Sequence, residues 1–297
     1  MIRIANNACS WGVWFLDDPK QPDWETYLDE LKQAGYTYSE LGTYGWIPDD
    51  SRKLEKALKD RDVRPLCFTT MTPFWDDAVM PEALEHIENG CKLLRKIGAP
   101  YYVLIDAMYT DLMTDEPVCD PELTDEQFET WVRNYRKVAA LIRSYGIKPV
   151  FHPHACTHFE REDQIERFID AMPKDELRLC LDTGHHIYVK GNDLFAFTEK
   201  HIDQIDYLHF KDLNPEVKER CWKENIRFAA ATRMNLFAEV GKGSIDWKAY
   251  GELLNKLEWS GLACLERDCY PPTPGESLAE QTRTLNYLES IGLGVRD

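Results

Sequence analysis

The chain has 297 residues, of which 43% are hydrophobic and 29% are charged, and these values are ordinary for a globular protein with a large core. Its formal net charge of −17 at pH 7 argues against nucleic acid or an anionic membrane as the partner, because phosphate-rich surfaces would repel the protein. A small neutral molecule or a cation is the expected partner.

The cellular setting follows from the N-terminus and the cysteines. The N-terminus lacks a basic run followed by an apolar stretch, and no apolar segment is long enough to cross a bilayer, so we expect neither a signal peptide nor a transmembrane segment. The nine cysteines include no C-x-x-C pair, and several stand inside apolar runs, as Cys180 does in Leu-Arg-Leu-Cys-Leu. This pattern indicates reduced, buried thiols rather than a disulfide framework, so we expect a cytoplasmic protein.

Eight short apolar runs alternate with longer amphipathic segments along the chain. The runs predict strands at Ile2–Ala5, Tyr36–Leu41, Arg64–Thr69, Tyr101–Asp106, Lys148–His152, Arg178–Asp182, Gln204–His209 and Leu262–Glu266. The segments between them carry helix signals: Asp23 and Gly35 mark the two ends of one helix, and Thr124 with Gln127 forms the capping box of another.

The order of these elements predicts an α/β fold. Strands that are joined through helices pair in parallel, and eight such units predict a closed (β/α)₈ TIM barrel. Because no linker or change of composition interrupts the chain, residues 1–297 are expected to form a single domain. A doubly wound open sheet is the alternative, but the Gly-rich phosphate loop that such a fold often carries is missing.

One connection is unusually long. Asn214 to Phe237 separates the seventh predicted strand from a helix that begins near Asp246. Long connections in compact domains are usually functional, and this insertion, at about residues 214–237, would follow the seventh strand over the mouth of the barrel. We expect it to serve as a lid or a pocket wall and not to contribute metal ligands.

Polar side chains cluster where the last four predicted strands end, and in a TIM barrel these ends form the active site. The strand ends read His152-Pro153-His154, Asp182-Thr183-Gly184-His185, His209-Phe210-Lys211-Asp212 and Glu266-Arg267-Asp268. Two imidazoles and two carboxylates therefore converge, and a cation would offset the repulsion between the carboxylates. We predict one divalent metal ion bound by His152, Asp182, His209 and Glu266.

Other residues have chemical roles by position. Lys211 could stabilise an enolate or steer a leaving hydroxide, or it could instead pair with Asp212. Glu40 closes an apolar strand and is a candidate base, or a group that binds a substrate hydroxyl. The early loops are rich in aromatic residues, which sugar sites favour, although most aromatics in a barrel belong to the core. The candidate substrate-binding residues are Trp11, Phe68, Asp106 and His154.

These motifs resemble the xylose-isomerase-like barrel superfamily. The resemblance rests on Asn7-Ala8-Cys9-Ser10-Trp11-Gly12-Val13, Gly35-Tyr36-x-x-x-Glu40-Leu41-Gly42, and the ends of strands six, seven and eight. It covers about residues 4–288 and is strongest to the branch of inosose dehydratases and related sugar isomerase/epimerase proteins. The insertion at 214–237, followed by Gly241-Lys242-Gly243-Ser244-Ile245-Asp246, is similar to the corresponding part of the dehydratase branch.

The resemblance implies a metal site with a carboxylate from strand five, Asp from strand six, His from strand seven and Glu from strand eight. Asp182, His209 and Glu266 match this pattern, whereas His152 stands where isomerases and epimerases usually place Glu. In epimerases that Glu also serves as one of two acid/base groups, so its replacement by His favours elimination over epimerisation. The family counterpart of His185 orients a substrate oxygen near the metal.

The resemblance therefore implies a metal-dependent lyase that dehydrates a keto-cyclitol or keto-sugar, such as inosose, through an enolate. Glu266 or Glu40 would take the α-proton, and His185 or Lys211 would help the β-hydroxyl leave as water. Mn²⁺ or Co²⁺ is the expected metal, with Zn²⁺, Mg²⁺ and Fe²⁺ as alternatives. A homo-oligomer is compatible with this interpretation.

Three other functions remain open. The same metal site could isomerise or epimerise a ketose, or eliminate from a 3-keto-glycoside. A metal-dependent phosphoesterase acting on DNA damage is disfavoured by the acidic charge and by the lack of the further ligands that a multi-metal cluster needs. A sugar-binding protein without catalysis is disfavoured because Asp182, His209 and Glu266 are all present.

Overall fold

A computed structural model describes residues 1–173, 175–273 and 275–295. We number the barrel strands one to eight in chain order: Ile2–Asn6, Tyr38–Ser39, Arg64–Pro65 with Thr69–Thr72, Tyr101–Asp106, Lys148–Phe151, Leu179–Asp182, Ile205–Phe210 and Gly261–Leu265. The α-helices are Trp24–Ala34, Ser51–Asp60, Met80–Ile97, Asp125–Ser144, Glu162–Ala171, Thr183–Tyr188, Leu194–His201, Pro215–Glu224, Phe228–Arg233, Trp247–Lys256 and Glu276–Ser290. Short 3₁₀ turns lie at Ala8–Trp11 and Ile202–Gln204.

The sheet closes on itself through strand three. The first part of strand three pairs with strand two, where Arg64 lies opposite Tyr38, and its second part pairs with strand four, where Thr69 lies opposite Val103. Strand one pairs with strand eight, and every barrel pair is parallel. Since both ends of the strand order fall on the same segment of chain, the eight strands form a closed barrel. The predicted TIM barrel is confirmed.

The barrel interior is filled by side chains and is not a channel. A cluster of buried residues has members from seven strands and from the segment between the two parts of strand three: Ala5, Tyr38, Leu66, Cys67, Val103, Ile105, Val150, Cys180, Tyr207 and Cys264. A larger cluster packs the outer faces of the strands against the helices. All nine cysteines are free thiols, as the apolar setting of Cys180 indicated.

The predicted helix ends are confirmed. The Asp23 side chain accepts a hydrogen bond from Thr26 N, and Gly35 ends the same helix with a φ of 100°, a conformation that glycine adopts readily. Thr124 and Gln127 form the reciprocal capping box. Strand two is shorter than predicted, but the backbone ladder continues beyond it, since Leu41 N donates to Cys67 O.

The insertion is a folded unit with two helices, Pro215–Glu224 and Phe228–Arg233. A short antiparallel pair, Asp212–Leu213 with Phe237–Ala238, ties its two ends together. The insertion packs through an apolar cluster of its own: Ala155, Cys156, Leu213, Cys221, Phe228, Ala231, Leu236 and Phe237. Within the described parts of the chain, no helix is both long and apolar enough to span a membrane.

Candidate active site

Four side chains from strands five to eight meet at the carboxyl end of the barrel. His152, Asp182, His209 and Glu266 are all buried, and each offers one ligand atom such that these atoms lie within 4.8 Å of one another. His209 Nδ1 lies 3.1 Å from Glu266 Oε2 and 3.6 Å from Asp182 Oδ2, while His152 Nε2 lies 3.9 Å from Asp182 Oδ2. These are the four residues that the sequence nominates as metal ligands, and the structure brings them together.

Hydrogen bonds on the far side of each imidazole orient it towards the cluster. His152 Nδ1 lies 2.8 Å from the Pro153 carbonyl oxygen, which can only accept, so Nδ1 carries a proton and Nε2 faces the cluster. His209 Nε2 lies 2.9 Å from Glu40 Oε1, which fixes a proton on Nε2 and turns Nδ1 towards the two carboxylates. A histidine held in this way by a carboxylate or a carbonyl is the usual arrangement around a protein-bound metal.

Two buried polar atoms of the cluster, Asp182 Oδ2 and His209 Nδ1, make no hydrogen bond with any part of the chain that the structure describes. Their nearest charged neighbours are Lys211 Nζ, 3.2 Å from Asp182 Oδ2, and Glu266 Oε2, 3.1 Å from His209 Nδ1. Buried polar groups nearly always make hydrogen bonds, so atoms without one at the centre of such a cluster are candidate ligand atoms. A cation between these atoms would accept a lone pair from each. The donor set of two imidazoles and two carboxylates suits a first-row divalent metal, so the residues present fit such an ion.

Each residue of the Asp182-Thr183-Gly184-His185 segment has a separate task. Asp182 Oδ1 accepts a hydrogen bond from His185 N and caps the short helix that follows, which leaves Oδ2 for the cluster. Thr183 exchanges hydrogen bonds with the backbone of Lys211. Gly184 makes room for the Lys211 stem, because a Cβ there would lie 2.6 Å from Lys211 Cγ. His185 Nε2 lies 2.9 Å from Lys211 Nζ.

Lys211 is a buried ammonium group surrounded by acids. Its Nζ lies 2.9 Å from Glu266 Oε2, 2.9 Å from Asp268 Oδ2 and 3.2 Å from Asp182 Oδ2. Burial alone would lower the pKa of Lys211, but these three carboxylates raise it well above its usual value. The pairing of Lys211 with Asp212 that the sequence offered as an alternative is not present among the described ion pairs, because the Asp212 carboxylate is directed elsewhere.

The electrostatic setting keeps three imidazoles neutral. Burial lowers the pKa of His152 and of His185 well below the usual value, and burial together with Lys211 lowers the pKa of His154 to about 4. The carboxyls respond in opposite directions. Burial would raise the pKa of Glu266, but His209 and Lys211 lower it, whereas for Asp268 burial prevails and the pKa is raised.

A cavity of about 370 Å³ opens above the cluster. Three of the four metal-ligand candidates line it together with Lys211 and Asp268, and its walls are partly apolar. The lining residues are Asn7, Cys9, Val13, Trp14, Gly42, Thr43, Thr69, Thr70, Met71, Ile105, Met108, Leu112, His152, His154, His209, Lys211, Phe228, Thr232, Glu266 and Asp268. A space of this size accepts a small ring-shaped molecule.

Of the four predicted substrate-binding residues, His154 lines the cavity, whereas the other three are absent from its lining. Trp11 is 2% exposed, and its indole nitrogen donates to Glu30 on a helix outside the barrel. Phe68 belongs to the core between strands and helices. The carboxylate of Asp106 accepts from Trp131 Nε1 at 2.8 Å and contacts His158 Nδ1 at 2.6 Å, so it anchors neighbouring elements instead of facing the cavity.

Two predicted catalytic residues also lie behind the cavity wall. Glu40 is fully buried, contacts His209 on the side away from the cluster and is absent from the lining of the cavity. His185 is 2% exposed and is absent from the cavity lining, but it contacts two residues that are in it: Lys211, and His154, whose ring centroid lies 3.6 Å away. Glu40 and His185 were predicted because each stands at or just after the end of a strand. That position does not determine whether the side chain faces the cavity or lies behind a metal-ligand candidate such as His209.

The insertion forms one wall of the cavity, where Phe228 and Thr232 of its second helix line the space. Its return to the barrel is fixed by Asp212, which accepts hydrogen bonds from backbone N–H groups over Gly241–Ile245 and from the Trp247 indole. Gly243 is required there, because a Cβ would lie 2.2 Å from Asp212 Oδ1. None of the four clustered ligand candidates comes from the insertion.

Two further residues that the sequence reasoning did not propose contact the cluster or line the cavity. Asn7 Nδ2 donates to Glu266 Oε1 at 2.6 Å and to Glu40 Oε2 at 2.5 Å, and thus joins two carboxylates at the base of the site. Asp268 lines the cavity and pairs with Lys211. Both residues stand in quoted motifs, and Asp268 follows Glu266 by two positions, a spacing that leaves both side chains on the same face of an extended chain.

Comparisons with known proteins identify the family of the chain. A family described as xylose isomerase-like TIM barrel matches residues 28–289. An inosose dehydratase of Bacillus velezensis is 26% identical over 246 residues, which cover 82% of this chain and 81% of the relative.

Solved structures show the same fold. The IOLI protein, described with a bound zinc atom, superposes with a TM-score of 0.75 at 16% identity and covers 99% of this chain and 100% of its own. An L-ribulose 3-epimerase has a TM-score of 0.71 at 15% identity and covers 98% and 94%.

Proposed function

The chain belongs to the xylose isomerase-like TIM barrel family, and from that premise we propose that it is a divalent-metal-dependent lyase that removes water from a keto-cyclitol or keto-sugar. The observation that carries the proposal is the buried set of His152, Asp182, His209 and Glu266, three of which line a cavity of about 370 Å³. Similarity to an inosose dehydratase over most of the chain supports inosose as the substrate.

We assign the metal to these four residues and expect Mn²⁺ or Co²⁺, with Zn²⁺, Mg²⁺ and Fe²⁺ as alternatives. When bound, such a cation polarises a ketone oxygen and thereby acidifies the neighbouring C–H group. The description of a zinc atom in the IOLI protein, which has the same fold, supports a bound divalent ion.

Asp268 is the best-placed proton acceptor. Of the two carboxylates suggested earlier as the base, Glu40 lies behind His209, and both oxygens of Glu266 already have partners. Asp268 uses Oδ2 to contact Lys211, while Oδ1 makes no hydrogen bond within the described residues. Because Asp268 lines the cavity, its Oδ1 can take the proton from the carbon next to the ketone.

Lys211 is the matching proton donor. Its ammonium group faces the cavity and can give a proton to the departing β-hydroxyl, which then leaves as water. The proton on Asp268 can afterwards return to Lys211, because the two groups lie 2.9 Å apart. The cycle consumes no protons, and His185, whose Nε2 contacts Nζ, holds the ammonium in place.

Isomerisation or epimerisation of a ketose, or elimination from a 3-keto-glycoside, is the second candidate function. The structural likeness to an L-ribulose 3-epimerase favours it. An epimerase must handle protons on both faces of the substrate, and this usually takes two opposed acid/base groups. The imidazole of His152, with Nδ1 bonded to Pro153 and Nε2 facing the cluster, lacks the free oxygen that a glutamate would offer there.

Product analysis decides between these reactions. The protein with added Mn²⁺ or Co²⁺ is incubated in D₂O with inosose, ketohexoses or 3-keto-glycosides, and the products are read by NMR after the enzyme is removed. Loss of water from inosose to give a dione, abolished in Asp268→Asn but retained in the control Glu160→Gln, is the expected result. Epimerisation of a ketohexose with deuterium uptake, and no elimination from inosose, would contradict the proposal.

A further inference from the structure

Glu40 is a buried carboxylate that the proposed reaction does not use. It is fully buried, it is absent from the cavity lining, and it makes no ion pair with a lysine or arginine in the described parts of the chain. Burying a carboxylate is costly unless its oxygens are well bonded, so a role for its charge must be sought in the groups that it contacts.

Those contacts lead directly to two proposed ligands. Glu40 Oε1 lies 2.9 Å from His209 Nε2, on the side of the ring opposite the cluster. Its Oε2 accepts from Asn7 Nδ2, and the same amide nitrogen donates to Glu266 Oε1 at 2.6 Å. The Asn7 side chain is fixed in turn, because its Oδ1 accepts from Cys9 N at 3.0 Å.

The geometry points to a brace, defined by Asn7 and Glu40, that selects which atoms of His209 and Glu266 bind the metal. Glu40 keeps the proton of His209 on Nε2, which reserves Nδ1 for coordination, and its negative charge makes the imidazole a stronger donor. Asn7 occupies Oε1 of Glu266 and leaves Oε2 as the single oxygen that faces the cluster. Both are positioning residues, since neither side chain offers an atom to the four-residue ligand set.

This inference rests on the proposed metal site and does not depend on which reaction the site performs. Zn²⁺ affinity is measured by competition with a chelator for the wild type, Glu40→Gln and Glu40→Ala. Glu40→Gln keeps the shape and one acceptor oxygen but loses the charge, so we expect a loss of about tenfold. Glu40→Ala should lose up to about 100-fold, the range that partners of metal ligands typically contribute. Glu160→Gln, which alters a partly buried carboxylate outside the cluster, should change the affinity less than about twofold.

A spectroscopic readout separates positioning from a general effect on folding. In the Zn²⁺-loaded protein, the His209 Nε2 proton should give a slowly exchanging, downfield ¹H–¹⁵N signal, which shifts upfield in Glu40→Gln and is lost in Glu40→Ala. Unchanged Zn²⁺ affinity in both variants, or an unchanged His209 signal, would overturn the brace. If the wild type itself bound no Zn²⁺, the proposed metal site would fail and the brace with it.

Discussion

Replacing Lys211 by methionine tests whether this ammonium offsets the charge of the metal cluster when no cation is bound. The substitution keeps the length of the stem and removes the charge that lies within 3.2 Å of carboxylate oxygens of Asp182, Glu266 and Asp268. Removing one member of a buried ion pair costs about 3–5 kcal/mol. We expect a loss near the lower end, about 3 kcal/mol, because Asp268 keeps 18% of its side chain exposed.

The loss of stability in Lys211→Met should be larger in the metal-free protein than in the metal-loaded protein. For a chain of this size, 1 kcal/mol corresponds to about 2–4 °C in Tm, so metal-free Lys211→Met should melt about 6–12 °C below the wild type. A bound divalent cation supplies the missing positive charge, so the difference should shrink by at least about half in the loaded protein. Because the ammonium group of Lys211 competes with the metal for the same carboxylates, its removal should also increase the metal affinity by about tenfold or more. Activity should be lost, since Lys211 is the proposed proton donor.

Differential scanning calorimetry with and without Zn²⁺, and a chelator competition, measure both effects. Lys200→Met is the matched control, because Lys200 is 59% exposed and pairs with Glu166 at the surface, so its loss should change stability by less than about 0.5 kcal/mol. A metal-free Lys211→Met protein as stable as the wild type, or one that binds Zn²⁺ more weakly, would refute the reasoning.

Two further predictions concern other parts of the fold. Burial lowers the pKa of His158, but the hydrogen bond and the charge of Asp106 outweigh burial and raise this pKa above its unfolded value of about 6.5. The pair of His158 and Asp106 therefore stabilises the fold fully below about pH 6.5. This stabilisation decreases as the pH rises through the folded-state pKa of His158. The difference in unfolding free energy between wild type and Asp106→Asn should therefore narrow as the pH rises above about 6.5, and a constant difference would be inconsistent with an ionised pair. Phe228→Ala should raise KM by about tenfold without altering Zn²⁺ affinity, because Phe228 lines the cavity but lies outside the ligand set, and a change confined to metal binding would contradict that role.

The fold could be predicted because its strands and helix ends depend on residues that are close together in the sequence. Buried parallel strands appear as uninterrupted apolar runs, so Tyr101–Asp106 was predicted with its observed bounds. Helix ends are fixed by contacts between residues three or four apart, as between Asp23 and Thr26. The strand ends of a TIM barrel share one face, so the assembly of the clustered residues could be anticipated from their order alone.

The sequence did not predict which side chains at the strand ends face the cavity and which are buried behind it. Glu40 follows strand two and is a candidate base by its position in the sequence. In the structure its carboxylate contacts the imidazole of His209, which is 169 residues further along the chain. Asp106 ends strand four, yet its carboxylate turns to His158 and Trp131. Such outcomes depend on long-range packing, which no periodicity or spacing encodes.

The metal content of the purified protein tests the account most directly. The protein is stripped with a chelator, reconstituted with Zn²⁺ or Mn²⁺, and analysed by inductively coupled plasma mass spectrometry. Asp182→Asn and Glu266→Gln are analysed beside it, together with the control Asp77→Asn, whose carboxylate is exposed and is not part of the cluster. The wild type and the control should retain about one ion per chain, and both cluster variants should retain almost none. A wild type without metal, or cluster variants that keep a full equivalent, would contradict the proposed site.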